Sequence, residues 1–296
     1  MQWDDMRIFL SVARFESLSR AGKSLKIDPA TVGRRIARLE DDLGAPLFIK
    51  SPQGYALTDA GSRLVDHATR AEQSLTLGLE EVRGQAGQLT GSVRIGAPDG
   101  SANYLLPQVC AEICDNNPGL EVQIVALPRV FNLSKREADM AVTVSPPTAG
   151  RLVVQKVSDY HLHLAATERY LATHPPIKTI ADLRQHRLIG YIPDMIFDKE
   201  LDYLDALKTD RVQLASNSFS VQFNFVRQGA GVAIVHDFAI PSAEGIKRIL
   251  TDQVSLTRSF YLVRHSDDRR VERLNRFAAL LGQGIRREVS RLEALT

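Results

Sequence analysis

Residues 26–44, KIDPATVGRRIARLEDDLG, carry both ends of a helix and a defect inside it. Asp28 is a good N-cap, because its carboxylate accepts from the orphan amides of a first turn. Pro29 suits the first helical position, where no amide hydrogen is needed. Gly44 fits the left-handed residue just past a helix end. Between these signals Val32, Ile36, Leu39 and Leu43 form one apolar stripe at helical spacing. Ala30, Arg34, Ala37 and Arg38 fall opposite the stripe, with Thr31 and Arg35 on one flank and Gly33 on the other. Gly33 is the defect, since glycine inside a helix costs about 1 kcal/mol relative to alanine. The outward face of the first half is thus small residues plus arginine. Such a face suits a DNA major groove: small residues permit approach, and arginine pairs with guanine or phosphate.

The neighbouring segments give this helix its context. Residues 4–14 read as a helix through Met6, Phe9, Leu10 and Ala13, and residues 18–25 as a shorter one through Leu18, Ala21 and Leu25. Helix, short helix, tight turn and capped basic helix is the order of a helix-turn-helix. After it, PLFIKSPQGYALTDAG (46–61) reads as two short strands around Pro52-Gln53-Gly54. That hairpin is a wing, with Lys50 and Gln53 available to phosphate or the minor groove. For the arginines alone a solvated basic face is the plainer reading. Residues 1–60 hold nine basic and eight acidic side chains, and the chain's net charge is +2. Bulk charge therefore does not announce nucleic acid, and the argument rests on where the charges lie.

The run from Asp4 to Gly61 resembles, without a gap, the N-terminal domain of LysR-type transcriptional regulators. The resemblance is carried by FL-x-V (Phe9, Leu10, Val12), S-x-S-R-A (Ser17, Ser19, Arg20, Ala21), R-x-LE-x-x-LG (Arg38 to Gly44), PLF (Pro46 to Phe48) and LT-x-AG (Leu57 to Gly61). Three positions depart from the family pattern: Gly22 for a usual alanine, Gly33 for a usual serine and Lys50 for a usual arginine. The resemblance implies DNA-facing roles for Pro29, Ala30, Gly33 and Arg34. With the residue-level reading, the expected DNA-binding set is Ser19, Arg20, Pro29, Ala30, Thr31, Gly33, Arg34, Arg35, Arg38, Lys50 and Gln53. At Gly33 the missing hydroxyl is expected to remove a hydrogen bond to DNA and to let the backbone approach more closely.

Thr58 can cap a further helix running to about Arg83. Leu64, Ala68, Ala71, Leu75 and Val82 trace a spaced seam along it, with Leu79 beside the line. Packing on its own chain is one reading of that seam. A dimerisation helix is the favoured one, and the resemblance implies pairing through it. The glycine-rich GQAGQLTG (84–91) reads as a hinge.

From Ser92 onward strands and helices alternate. Strands are expected at 93–95, 122–125, 140–144, 161–165, 187–191, 211–214, 231–235 and 259–263. Helices are expected at 103–116, 131–137, 180–184, 198–207, 220–228 and 268–291. This is an α/β pattern with mainly parallel sheets. VRIGAPDGSANYLLPQV, NPGLEVQIV, EADMAV and RQGAGVAIV resemble the effector domain of the same family. The resemblance implies a periplasmic-binding-protein-like pair of lobes, with strands crossing near 159–163 and 264–266 and a C-terminal helix returning to the first lobe. The fold class is then an all-α winged helix-turn-helix domain (1–58), a linker helix and hinge (59–91), and a two-lobed α/β effector-binding domain (92–296). Lobe I takes about 92–160 and 266–296, and lobe II about 161–265.

In such sheets ligands sit beyond the carboxyl ends of strands. The loops after strands that follow this rule carry Asp99, Gly100, Ser145, Asn217 and His236, and the resemblance implies effector contacts at Ser101, Leu127, Pro128, Arg129 and Ser218. Ser101 and nearby amides can hold an anion at a helix start, or Ser101 can be a plain N-cap. Arg129 and His236 suit a carboxylate or another anion, or they are solvated loop residues.

The remaining features read plainly. Cys110 and Cys114 fit a buried helix face better than a redox pair. His161 and His163 share a strand face without a third ligand, so no metal is expected. No nucleophile elbow, phosphate loop or metalloprotease helix is present in the sequence, so no enzyme and no cofactor is expected beyond a small-molecule effector. No apolar run approaches the ~18 residues of a membrane helix. The N-terminal stretch is acidic where a secretory signal is basic, so the chain reads as intracellular, and the resemblance implies the bacterial cytoplasm. The expected partners are double-stranded DNA at an interrupted palindrome, a second copy of the chain in a dimer or tetramer, and RNA polymerase as a further candidate. The competing reading is a cytoplasmic solute-binding or ligand-sensing protein without direct promoter regulation.

Overall fold

Helix α1 (Trp3–Phe15) turns Met6, Ile8, Phe9, Leu10 and Val12 inward, and one core forms around them. Against them pack Ala21 of α2 (Leu18–Leu25), Val32, Ile36 and Leu39 of α3 (Pro29–Leu43), and Leu47 and Phe48 beyond α3. The structure is a computed structural model that describes residues 3–51, 54–82, 89–126, 138–148, 150–203, 207, 211–266, 268 and 271–296. The chain divides into two compact units, Met1–Gly87 and Gln88–Thr296.

In the first unit the caps lie where the sequence signals them. Ser17 accepts from the Arg20 amide, and Asp28 accepts from the Thr31 amide at 3.0 Å. Lys26 ends α2 in the left-handed region, at φ 57°. The Ile27 amide then donates to the Gly22 carbonyl at 2.9 Å. A Cβ on Gly22 would lie 2.7 Å from the Ile27 carbonyl oxygen, so this turn is built around the glycine. Past α3, the Glu40 carboxylate accepts from the amides of Leu47 and Phe48 at 2.7 and 3.1 Å and fixes the entry to the hairpin. Strands β1 (Phe48–Ser51) and β2 (Gly54–Leu57) pair antiparallel, Phe48 opposite Leu57. The Tyr55 amide donates to the Glu16 carbonyl at 3.0 Å, which holds the hairpin at the end of α1.

Helix α4 (Asp59–Val82) starts at Thr58, whose hydroxyl accepts from the Gly61 amide at 3.0 Å and donates to the Pro46 carbonyl at 2.7 Å. Leu64, Val65 and Ala68 pack into the core of the same unit. The first half of the expected seam is thus used within the chain, while Leu75 is exposed. The side chains at 79 and 82 lie outside the described residues.

The second unit is one mixed sheet, ordered β4-β3-β5-β11-β6-β9-β7-β8, with β10 pairing β6. On one wing β3 (Gly91–Ala97) lies parallel to β4 (Leu120–Ala126) and β5 (Met140–Thr143). On the other, β7 (Leu188–Gly190) lies parallel to β8 (Leu214–Ala215) and β9 (Val232–His236). Two long antiparallel strands, β6 (Leu152–Thr167) and β11 (Ser255–His265), run through both lobes. Strand β10 (Ile246–Ile249) borders β6 in the second lobe. The middle of the sheet is therefore antiparallel, not mainly parallel as the alternation suggested.

The register corrects one crossing. Strand β5 pairs with Tyr261–Arg264 of β11, so that stretch belongs to the first lobe. The second crossing lies near Ser259–Phe260, before the expected 264–266. The first crossing falls between Gln155–Lys156, which face the first-lobe half of β11, and Leu162, which pairs β9.

The expected helix at 103–116 is two helices, α5 (Asp99–Tyr104) and α6 (Leu106–Asp115), broken at Leu105. Pro107 has no amide hydrogen and clashes with a helical carbonyl four residues back, so one helix cannot run through. Residues 180–185 and 199–201 form short 3-10 turns instead of α-helices. The expected helix at 131–137 lies outside the described residues. Helix α7 (Glu168–Thr173), β10 and the first half of β6 were not expected. Helix α8 spans Phe219–Arg227. The last helix, α9 (Glu272–Glu293), packs on α6, where a Cβ on Gly284 would strike Val109. Among the described residues no helix is long and apolar enough to cross a membrane.

Candidate functional site

On the first unit the N-terminal half of α3 presents Pro29, Ala30 and Arg34, all exposed, with Thr31 half-buried beside them. Arg34 donates to the Thr31 hydroxyl at 3.0 Å and otherwise points to solvent. Ser19 and Arg20 at the start of α2 and Lys50 on β1 are exposed as well. Gln53 lies outside the described residues.

Two of the expected DNA-binding arginines, Arg35 and Arg38, are engaged in ion pairs within the unit. Asp5 of α1 is 1% exposed, and Arg35 Nε and Arg38 Nη2 reach its carboxylate at 2.8 and 2.7 Å. Arg35 Nη1 also pairs with Asp4 at 2.6 Å. These ion pairs hold α3 against α1, because a carboxylate buried without partners would be far costlier. Gly33 needs a similar correction. It is half-buried, and an added Cβ would lie 3.2 Å from Leu18 Cδ1 of α2. The glycine marks where α2 crosses α3, not an opening onto DNA.

In the second unit a narrow cleft lies between the lobes, with a cavity volume of about 20 Å³ and about 350 Å³ of empty space once its open mouth is counted. The expected residues Asp99, Gly100, Ser101, Asn217 and His236 line it. Ser145 and Ser218 lie beside it and bond across the lobes. Ser145 donates to Asp198, and Ser218 donates to Asp99 Oδ2 at 2.9 Å. The same oxygen of Asp99 accepts from the Ser220 amide at 2.7 Å. A first-lobe carboxylate thus occupies the amide-rich start of α8 in the second lobe, where the helix dipole favours negative charge. Leu127, Pro128 and Arg129 lie outside the described residues.

Ser101 is neither an N-cap nor an open anion site. It falls inside the first turn of the six-residue α5, and its hydroxyl donates to the Pro98 carbonyl at 3.0 Å. His236 is buried, and burial lowers its pKa to about 3, so the ring is neutral at ordinary pH. It sits so close to Gly100 that a Cβ there would meet its Cε1 at 2.5 Å. The expected preference of His236 for an anion is therefore corrected, since the ring carries no positive charge.

Sequence reasoning missed the apolar walls, chiefly Tyr160, Tyr191, Phe197 and Phe260. The signal for Tyr160 was present in strand alternation, because it shares a buried face with Leu162 and Leu164. The other histidines have structural partners. His163 bonds buried Asp237 at 2.8 Å and His161 bonds Glu293 at 2.7 Å, each in a separate place. Cys110 is buried, which pushes its thiol up to about 12 and keeps it unreactive.

Two family models match the chain. One, described as bacterial regulatory helix-turn-helix protein, lysR family, covers residues 3–62, and the other, LysR substrate binding domain, covers 86–286. The chain belongs to the LysR family of transcriptional regulators. It is a regulator with a DNA-binding helix-turn-helix domain and a two-lobed effector-binding domain, not an enzyme. Among similar proteins, the HTH-type transcriptional regulator PtxR of Pseudomonas aeruginosa is 28% identical over 237 residues, covering 78% of this chain and 75% of that one. The Mau operon transcriptional activator of Paracoccus denitrificans is 24% identical, covering 89% of each chain. Two solved LysR-type structures share the fold. CrgA of Neisseria meningitidis has a TM-score of 0.59 at 21% identity, over 96% of this chain and 99% of that one. LysG of Corynebacterium glutamicum, solved with bound effector Arg, has a TM-score of 0.63 at 20% identity, over 98% and 99%.

Proposed function

We propose that this LysR-family regulator binds an interrupted palindromic promoter site as a dimer or tetramer and responds to a small molecule held between its lobes. Residues 1–58 read DNA, 59–91 link and pair the subunits, and 92–296 sense the effector. Ser19, Arg20, Pro29, Ala30, Thr31, Arg34 and Lys50 are the contact set retained after the corrections above. Asp99, Gly100, Asn217 and His236 bound the effector cleft, and RNA polymerase is a further partner of the bound assembly. Action in the bacterial cytoplasm follows from this role. The effector works by binding two assembly states with different affinity, which shifts the placement of the DNA-binding domains.

The observation that carries the reading is the exposed start of α3, capped by Asp28 and carrying Pro29, Ala30 and exposed Arg34. A gel shift on the DNA flanking the chain's own gene tests it. Salt-sensitive, sequence-selective binding is expected, and Arg34→Ala weakens specific binding by ~1–3 kcal/mol. Equal weakening on specific and random DNA would restrict Arg34 to phosphate. No selective binding at all would remove regulation at that locus.

A further inference from the structure

The walls of the cleft identify the class of effector, an inference that rests on the effector-binding reading above. His236 lies between the faces of Phe219, at 4.0 Å and 27°, and Phe238, at 4.9 Å and 22°. Tyr160 meets it edge-on at 5.5 Å and is itself stacked on Phe260 at 4.1 Å. Tyr160, His236 and Phe260 all line the cleft. An aromatic guest extends such a wall by stacking or edge contacts, and aliphatic guests gain no such geometry.

The imidazole adds a polar requirement. His236 is 5% exposed, and among the described residues neither Nδ1 nor Nε2 has a hydrogen-bond partner. A neutral imidazole offers one donor and one acceptor, so it matches an amide or a phenol equally well. Buried polar atoms in folded proteins nearly always find a partner, and a guest that parts the cleft walls around the ring would supply it.

A carboxylate fits less well. The amides at the start of α8 already face the Asp99 carboxylate through the Ser220 amide and the Ser218 hydroxyl. An anionic guest reaching that end of the cleft meets a like charge.

We propose that the interlobe cleft binds an uncharged aromatic molecule with one hydrogen-bonding group, which packs on Tyr160 and Phe260 and bonds to His236. Asp99 biases the cleft against aromatic carboxylates of the same shape.

Thermal shift and titration calorimetry on the full chain near neutral pH, with benzamide, phenol and benzoate as probes, test this. Benzamide or phenol is expected to raise Tm and to bind at least about tenfold more tightly than benzoate. His236→Phe preserves the stack and is expected to weaken benzamide about tenfold, with circular dichroism checking the fold. Asp99→Asn is expected to narrow the preference by strengthening benzoate, and it keeps the test alive where the His236 variant does not fold. The proposal is overturned by benzoate binding as tightly as benzamide, by undiminished benzamide binding to folded His236→Phe, or by no response to either uncharged probe at about 10 mM. Binding of benzoate alone overturns the class and leaves the effector reading standing. Silence to a broad small-molecule panel, with selective DNA binding intact, overturns the effector reading too.

Discussion

Asp5 and Asp99 are both carboxylates that accept hydrogen bonds from another helix, yet they do different work. Asp5 is buried between α1 and α3 and receives two guanidinium groups from one helix of its own unit. Asp99 is half-buried and receives a backbone amide and a hydroxyl from the opposite lobe. The first arrangement fixes a surface that must meet DNA as a rigid body. The second is shared with solvent, and under the proposed function it suits lobes that change their contacts when a ligand enters. The contrast teaches that partner type and burial, not the acidic residue, decide whether a contact is a rivet or a catch.

The sharpest way to break the contrast is Asp5→Ala. It leaves Arg35 and Arg38 without their shared partner and is expected to cost the DNA-binding unit about 2–4 kcal/mol, read from urea unfolding of the full chain. A loss near zero would make Asp5 as dispensable as a surface ion pair. Next comes pH. His236 is held neutral in the folded state, whereas the unfolded chain protonates it below about pH 6.5. The unfolded state then binds the extra proton, so stability contributed at neutral pH is lost as pH falls. The expected loss approaches ~1.4 kcal/mol per pH unit from this group. His236→Phe should flatten that part of the profile, and an unchanged slope would mean that other groups set it.

Asp99→Asn comes third. It removes a charge-assisted contact at a helix start and is expected to cost the second unit ~0.5–1.5 kcal/mol. If it costs as much as Asp5→Ala, the two carboxylates are equivalent and the contrast collapses. The smallest effect is expected from Gly33→Ala. Its helix propensity gain of about 1 kcal/mol is offset by a Cβ 3.2 Å from the flexible end of Leu18, for a net change below ~1 kcal/mol. A loss above ~2 kcal/mol would show a crossing too tight for Leu18 to yield.

The first three helices and the wing were legible because their signals are local. Asp28 before Pro29, the stripe through Val32 and Leu39, and the alternation around Gly54 each act within a few residues. Loop positions of the cleft were legible for a related reason, as strand ends can be read from strand pattern. What escaped was contact across long sequence separation. Nothing near Arg35 in the chain reveals that Asp5 waits thirty residues away, and nothing near Gly33 points to Leu18. The tie between Asp99 and Ser218 spans 119 positions, and no local pattern encodes it. The first half of β6 escaped because it is mostly exposed and alternates poorly.

The sheet narrows to two strands where the lobes meet. Between Gln155 and Leu162 on β6, among the described residues, only β11 provides pairing, and the register slips there between Phe260 and Tyr261. A two-strand ribbon resists stretching along its length but yields to twisting, and a bulge concentrates that twist. Tyr160 and Phe260 stand on this waist and also face the cleft. If a guest lodges against them as proposed, it bears on the two strands that join the lobes, the axle of the domain.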